Sequence, residues 1–244
     1  MTDPGDLGAA RAAVLEQIRV AASRAGREAG DIEVVAVTKT VPAERIHAAI
    51  AAGFNTLGEN RVQERAAKAG EIDAVATRPA GAVPRWHLVG PLQSNKARRA
   101  VELFDVIETV DSLELAERLS RIAGEVRPGG PLPVLLQVNV DDDAAKSGFQ
   151  PGRLERDLSA ILDLPGLAVD GLMTVGRLVA APELARSTFV ALRELSERLR
   201  VDHPGLGAAL SMGMSEDYPI ADEEGATLVR VGRAIIGERH GSPR

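Results

Sequence analysis

The chain has 244 residues, 45% hydrophobic and 26% charged, which is enough to build a sizeable core within one large domain. Its 35 acidic and 29 basic side chains leave a net charge of −6, so nothing global attracts it to nucleic acid. With no cysteine, disulfides, thiolate nucleophiles and cysteine metal sites are excluded, and the four histidines (His47, His87, His203, His240) show no metal-ligand spacing.

The first periodic segment runs from Leu7 to about Arg27. Val14, Leu15, Ile18 and Val20–Ala22 recur at helical spacing, which predicts an N-terminal helix within residues 1–30, packed against the rest of the domain. Strand-like runs then alternate with helical ones. The strands are expected at Ile32–Thr38, Asn55–Leu57, Trp86–Val89, Val106–Val110, Pro133–Val138, Ala168–Met173, Ala208–Ser211 and Leu228–Val231. The helices between them are expected at Ala43–Ala52, Arg61–Ala69, Asn95–Leu103, Leu113–Ala123, Leu154–Leu162, Glu183–Arg200 and Tyr218–Glu224, with one or two more turns over Ala234–Gly237. Asp111-Ser112-Leu113-Glu114 reads as a cap followed by an acidic residue in the first turn. Ala76–Arg85 and Arg127–Pro133 read as proline- and glycine-rich exterior loops.

These strands are too apolar for a half-exposed sheet, so a parallel sheet covered on both faces is expected. Eight strands close a (β/α)8 TIM barrel, and no Gly-x-Gly-x-x-Gly turn follows the first strand to favour an open doubly wound sheet. The expectation is an α/β fold: one barrel domain over residues 1–244, preceded by the N-terminal helix.

Chemistry in such a barrel belongs where strands end. Val34-Val35-Ala36-Val37-Thr38-Lys39 is an apolar run that ends on a lysine. Desolvating an ammonium there is costly and would make the amine nucleophilic toward an aldehyde; a lysine reaching into water is the alternative. The second strand leads to Gly58-Glu59-Asn60-Arg61, and the third holds His87, a candidate core histidine. The seventh leads into Ser211-Met212-Gly213-Met214-Ser215, which joins hydroxyls to a glycine and precedes a helix start. Val231-Gly232-Arg233-Ala234 supplies a second such turn after the eighth. Barrels bind phosphate between these two loops, and together with the lysine they favour a phosphorylated carbonyl ligand. Arg230 lies inside Leu228-Val229-Arg230-Val231 and faces either the lumen or the helices. Beside a pyridine nitrogen it would keep that nitrogen unprotonated; a salt bridge across the barrel wall is the alternative. Lys96-Ala97-Arg98-Arg99 and Arg193–Arg200 read as solvated helix faces, and Lys146-Ser147-Gly148 as a mobile loop with a possible second ligand contact.

The chain resembles the pyridoxal phosphate homeostasis protein family, also called the proline synthetase co-transcribed family. The stretches that carry the resemblance are Ala36–Lys39, Gly58-Glu59-Asn60-Arg61-Val62-Gln63-Glu64, Trp86–Lys96, Lys146–Gly148, Gly171–Thr174, Ser211–Ser215 and Val229–Gly232, in order along nearly the whole chain. The resemblance implies a barrel related to the alanine racemase N-terminal domain, with pyridoxal 5'-phosphate held as a Schiff base on Lys39. It places the phosphate near Ser211, Gly213, Ser215 and Gly232, Arg230 near the pyridine nitrogen, and Asn60 and Met214 as further wall contacts. Pro219 departs from relatives, which more often carry a plain helix former there, and leaves the start of that helix open.

The resemblance also implies a non-catalytic role: binding pyridoxal phosphate, limiting the free aldehyde and exchanging cofactor with the enzymes that require it. An amino-acid racemase or decarboxylase is the competing reading. Racemases of this type need a second base, a tyrosine from a separate β domain, whereas this chain ends soon after the eighth strand and has one tyrosine, Tyr218. A monomer or weak dimer with no nucleic-acid or membrane partner is expected. The N-terminus lacks a signal peptide and no apolar run is long enough to span a bilayer, so the expected location is cytoplasmic.

Overall fold

A computed structural model describes residues 4–76, 83–127, 129–176 and 180–236. Eight parallel strands close on themselves in chain order: β1 (Glu33–Val37), β2 (Thr56–Glu59), β3 (Arg85–Leu88), β4 (Val106–Val110), β5 (Leu132–Gln137), β6 (Leu167–Met173), β7 (Ala209–Met214) and β8 (Leu228–Val231). Closure is made by β1 pairing with β8, Val35 opposite Arg230. The helices are α1 (Pro4–Arg24), α2 (Ala43–Ala51), α3 (Val62–Ala76), α4 (Ala97–Leu103), α5 (Leu113–Val126), α6 (Pro151–Leu162), α7 (Arg186–Asp202), α8 (Tyr218–Glu223) and α9 (Arg233–Ile236). The expected (β/α)8 barrel is the observed architecture, and β4 and β8 have the expected bounds. The outer limits of the expected domain, part of the 76–85 loop, residue 128 and the last residue of the C-terminal turn lie outside the described residues.

Two kinds of interior result. The main apolar core lies between strands and helices and draws outward-facing residues from every strand, among them Ala36, Leu57, Leu88, Ile107, Leu136, Leu172 and Val229. A second, small cluster of Val35, Val89 and Leu228, with Val37 and Ala209 against it, fills part of the lumen. Other buried positions on the strands are polar to an unusual degree, among them His87, Glu108, Ser211 and Arg230.

The main departures from the expected elements have local causes. Seven further residues extend α3 beyond Ala69. The expected glycine loop after Ser211 is instead the end of β7, which continues to Met214 across a register shift against β8. Gly213 makes this possible with φ of +88°, and a β-carbon there would lie 2.6 Å from Ala221 Cβ and 2.9 Å from Tyr218 Cα. Ser112 caps α5 as its sequence suggests, its hydroxyl accepting from Leu115 N at 3.2 Å. Pro219 sits in the first turn of α8, where its missing N–H costs nothing.

Helix α1 buries Leu7, Val14, Ile18, Ala21 and Ala22 and packs on α8, α9 and α2. It stops at Arg24, three residues before the expected end, in a turn closed by Arg27 N–H to Ala22 O at 2.9 Å. Arg27 then ties this end to the barrel, donating to Asp222 O at 2.6 Å and Ala226 O at 2.8 Å. Tyr218 donates its hydroxyl to Gln17 Oε1 at 2.7 Å.

Candidate functional site

Lys39 is the first side chain past the sheet ladder on β1, because Thr38 N–H still donates to Gly58 O at 2.8 Å. It is half-buried, and its amine makes no hydrogen bond or ion pair with any described residue. The backbone that carries it is held firmly. Val41 N–H closes a turn onto Thr38 O, and Thr40 adopts φ of +61° within it, where glycine or asparagine is usual. Glu64 of α3 accepts from Thr40 N at 3.2 Å. Thr38 donates its hydroxyl to the buried carboxylate of Glu59 at 2.8 Å, and Lys68 of α3 donates to that carboxylate at 2.8 Å and to Thr38 O at 3.0 Å. Burial raises Glu59 above its ordinary range, against the opposing pull of Lys68 and Thr38. Two lysines therefore stand close to one strand end: Lys68 is committed to Glu59 and Thr38, and Lys39 makes no bond to a described residue.

Asn60 follows β2 and is half-buried. Its backbone lies so close to Gly90 that a β-carbon on Gly90 would meet Asn60 O at 2.2 Å. That contact joins the loops after β2 and β3, and Thr109 donates to Gly90 O at 2.8 Å to fasten them to β4. On the opposite wall Gly232 N–H donates to Ser215 Oγ at 3.2 Å, which brings together two of the expected phosphate contacts. A β-carbon on Gly232 would meet Val37 O at 3.5 Å and Val37 Cβ at 3.6 Å, ordinary contact distances, so the residue lies against the end of β1 without a clash. Met214 is half-buried, and its N–H donates to Asp217 Oδ1 at 2.6 Å. Burial raises the Asp217 carboxyl, against the effect of that bond and of Arg230.

Arg230 faces the lumen. It is 5% exposed, and Ser211 and Glu108 are fully buried beside it. Its Nη1 donates to Ser211 Oγ at 2.7 Å and its Nη2 to Thr174 O at 2.7 Å. Ser211 in turn donates to Glu108 Oε2 at 2.5 Å, which lies 4.0 Å from Arg230 Nη1. The other Glu108 oxygen is 2.6 Å from His87 Nδ1. Burial alone would raise Glu108, but the bonds to His87 and Ser211 and the charge of Arg230 outweigh it and hold the carboxyl below its ordinary value. Burial lowers Arg230, yet a guanidinium stays protonated.

The structure thus gathers Lys39, Asn60, Met214, Ser215 and Gly232 at strand ends around the mouth, and places Arg230 on the lumen wall below them. Ser211 differs from the expectation. Its hydroxyl is committed between Arg230 and Glu108, because an inward-facing β7 residue two before Gly213 points into the closed lumen. Gly213 contributes conformation, its α-carbon turned against α8. The Lys146 loop is tied down: the amine donates to Val175 O at 3.0 Å and to Asp141 at 3.4 Å, and Thr188 donates to Asp141 at 2.6 Å. Glu108 and Lys68 were missed from sequence. For Glu108 a signal existed, since a lone carboxylate in the apolar run Val106–Val110 matches the lone arginine in Leu228–Val231. Among the described residues no cluster could hold a metal ion, and no helix is long and apolar enough to cross a membrane.

Residues 10–240 match the family described as alanine racemase, N-terminal domain. Over 235 residues the chain is 42% identical to the pyridoxal phosphate homeostasis protein of Pseudomonas aeruginosa, covering 95% of this chain and 96% of that one. The chain belongs to the pyridoxal phosphate homeostasis protein family. The Escherichia coli protein of the same name is 39% identical over 236 residues, covering 93% and 94% of the two chains. Among solved structures, PipY of Synechococcus elongatus with PLP bound superposes with a TM-score of 0.78 at 41% identity, covering 85% of this chain and 93% of that one. A histidine racemase from Leuconostoc mesenteroides shares the fold at 17% identity and a TM-score of 0.66, with 95% of this chain covering 57% of that one.

Proposed function

We propose that this chain binds pyridoxal 5'-phosphate through Lys39 and acts as a non-catalytic cytoplasmic protein of cofactor homeostasis, taking up the aldehyde and giving it back to enzymes that need it. The observation that carries the reading is the lysine amine without a described partner at the mouth, above a buried, oriented guanidinium. The residues present fit the group: Ser215, whose hydroxyl accepts from Gly232 N–H and keeps its own O–H to donate, suits a phosphate, and Arg230, with three N–H groups that make no bond to a described residue, suits a ring nitrogen. When bound, the cofactor supplies an aldehyde and an electron-withdrawing ring. The Lys39 nitrogen would bond the aldehyde carbon with loss of one water. Arg230 would donate to the ring nitrogen and, being a cation, oppose its protonation, which weakens the ring as an electron sink. That is the physical reason to expect storage over turnover. Asn60 and Met214 would form the walls, and residues 1–244 would act as one unit, a monomer or weak dimer.

Visible absorbance of the purified protein, borohydride trapping and peptide mass mapping test this. Label on Lys39, and its loss in Lys39→Ala, is the expected result; label elsewhere or nowhere would overturn it. Incubation with amino acids in deuterated water separates storage from racemisation, because sustained exchange at the α carbon would make the protein a racemase.

A further inference from the structure

Ser211 sits in a loop sequence that suggests phosphate binding, yet its hydroxyl is fully buried and committed at both ends, accepting from Arg230 at 2.7 Å and donating to Glu108 at 2.5 Å. The carboxylate and the guanidinium stand on β4 and β8, opposite one another across the barrel. At 4.0 Å they do not form a close, two-pronged pair. The hydroxyl bridges them instead. A direct pair would spend two guanidinium donors on the carboxylate and turn the planar group toward it. Here one N–H on each terminal nitrogen is taken, by Ser211 and by Thr174 O, and the other three make no bond to a described residue. Glu108 is itself anchored on its far oxygen by His87 Nδ1 at 2.6 Å. The chain His87–Glu108–Ser211 therefore fixes the plane of a buried cation while leaving most of its donors for a ligand.

We propose that Ser211, backed by Glu108, is a positioning residue for Arg230: it aims the guanidinium at the nitrogen of a bound pyridine ring and does not hold the phosphate. This rests on the reading that pyridoxal phosphate binds here, and it deepens that reading by giving Ser211 to the ring end of the ligand. The hydroxyl carries no net charge, so its removal alters the aim of the guanidinium while both charges stay in place, Glu108 keeping its bond to His87.

The test compares pyridoxal 5'-phosphate with pyridoxal, which lacks the phosphate, on wild type, Ser211→Ala, Arg230→Gln and the double variant. Dissociation constants come from visible-absorbance titration, and urea denaturation of each apoprotein checks folding. Loss of one charge-assisted hydrogen bond is worth about tenfold in Kd. Ser211→Ala is expected to weaken both ligands by about this same factor in the Arg230 background, and to have less than a twofold effect in the Arg230→Gln background. Ser211→Thr, which keeps the hydroxyl, is expected to restore binding. A loss confined to the phosphorylated ligand would make Ser211 a phosphate contact and overturn the proposal. An equal loss in both backgrounds, or no loss, would overturn it as well. Borohydride label on Lys39 in wild type keeps the two claims apart: its absence sinks cofactor binding itself, whereas label with an unaltered Ser211→Ala constant sinks only the positioning role.

Discussion

Asp222 of α8 offers the sharpest test of the energetics. It is fully buried, and neither carboxylate oxygen has a hydrogen-bond partner among the described residues. Arg27 approaches but turns one N–H of each terminal nitrogen to the carbonyls of Asp222 and Ala226, and Glu223 and the Tyr218 phenol face the same region. Burial, against the opposing charge of Arg27, pushes the carboxyl from 3.8 up to about 7. A carboxyl raised in the folded state binds its proton more tightly there than in the unfolded chain. Its contribution to stability is therefore fully present below about pH 4 and is lost as the pH rises to about 7. At about 1.4 kcal/mol per unit the whole loss is on the order of 4 kcal/mol. Asp222→Asn keeps the shape of the neutral acid and cannot ionise. The variant should match wild type near pH 4 and exceed it by about 2–4 kcal/mol at pH 8, with the change between pH 4 and 7. Urea denaturation followed by far-ultraviolet circular dichroism across that range measures the difference, in which all other carboxylates cancel. A difference that stays constant from pH 4 to 8 would refute the argument.

Three further substitutions probe the site's supports. Glu108→Leu strands Arg230 and His87 in the lumen and should cost about 3–5 kcal/mol in urea denaturation, with much of the loss recovered in a Glu108→Leu, Arg230→Leu double variant. Gly213→Ala drives a methyl to 2.6 Å from Ala221 Cβ at a φ of +88° and should cost about 2–4 kcal/mol by the same measurement. Thr40→Gly removes a backbone strain of about 1–3 kcal/mol, most of which the greater freedom of the unfolded chain offsets. Its stability should rise by no more than about 1 kcal/mol, while borohydride trapping at Lys39 slows because the turn no longer holds the amine in place.

The alternation of apolar strands with helical periods was legible in the sequence, and it determined an eight-stranded barrel with Lys39 at the first strand end. These signals are local: a period of two, a period of 3.6, a serine cap before α5, a proline admitted in the first turn of α8. Element ends were less legible, and the Ser211–Met214 segment misled because a glycine between hydroxyls reads as a loop unless the strand beside it supplies a register shift to absorb it. Lys39 and Lys68 look alike as sequence. Only the packing of α3 over β1 and β2 pairs Lys68 with Glu59 and leaves Lys39 without a described partner. Arg230 was visible as an oddity in an apolar strand, but whether it faced the lumen or the helices depended on closure. Glu108 lies more than a hundred residues away on the opposite wall, and no local pattern links the two. Barrel closure makes them neighbours, and the lumen's low polarisability then demands that each buried charge find a counterpart, which is why Ser211 is a bridge in the structure although its sequence suggested a phosphate ligand.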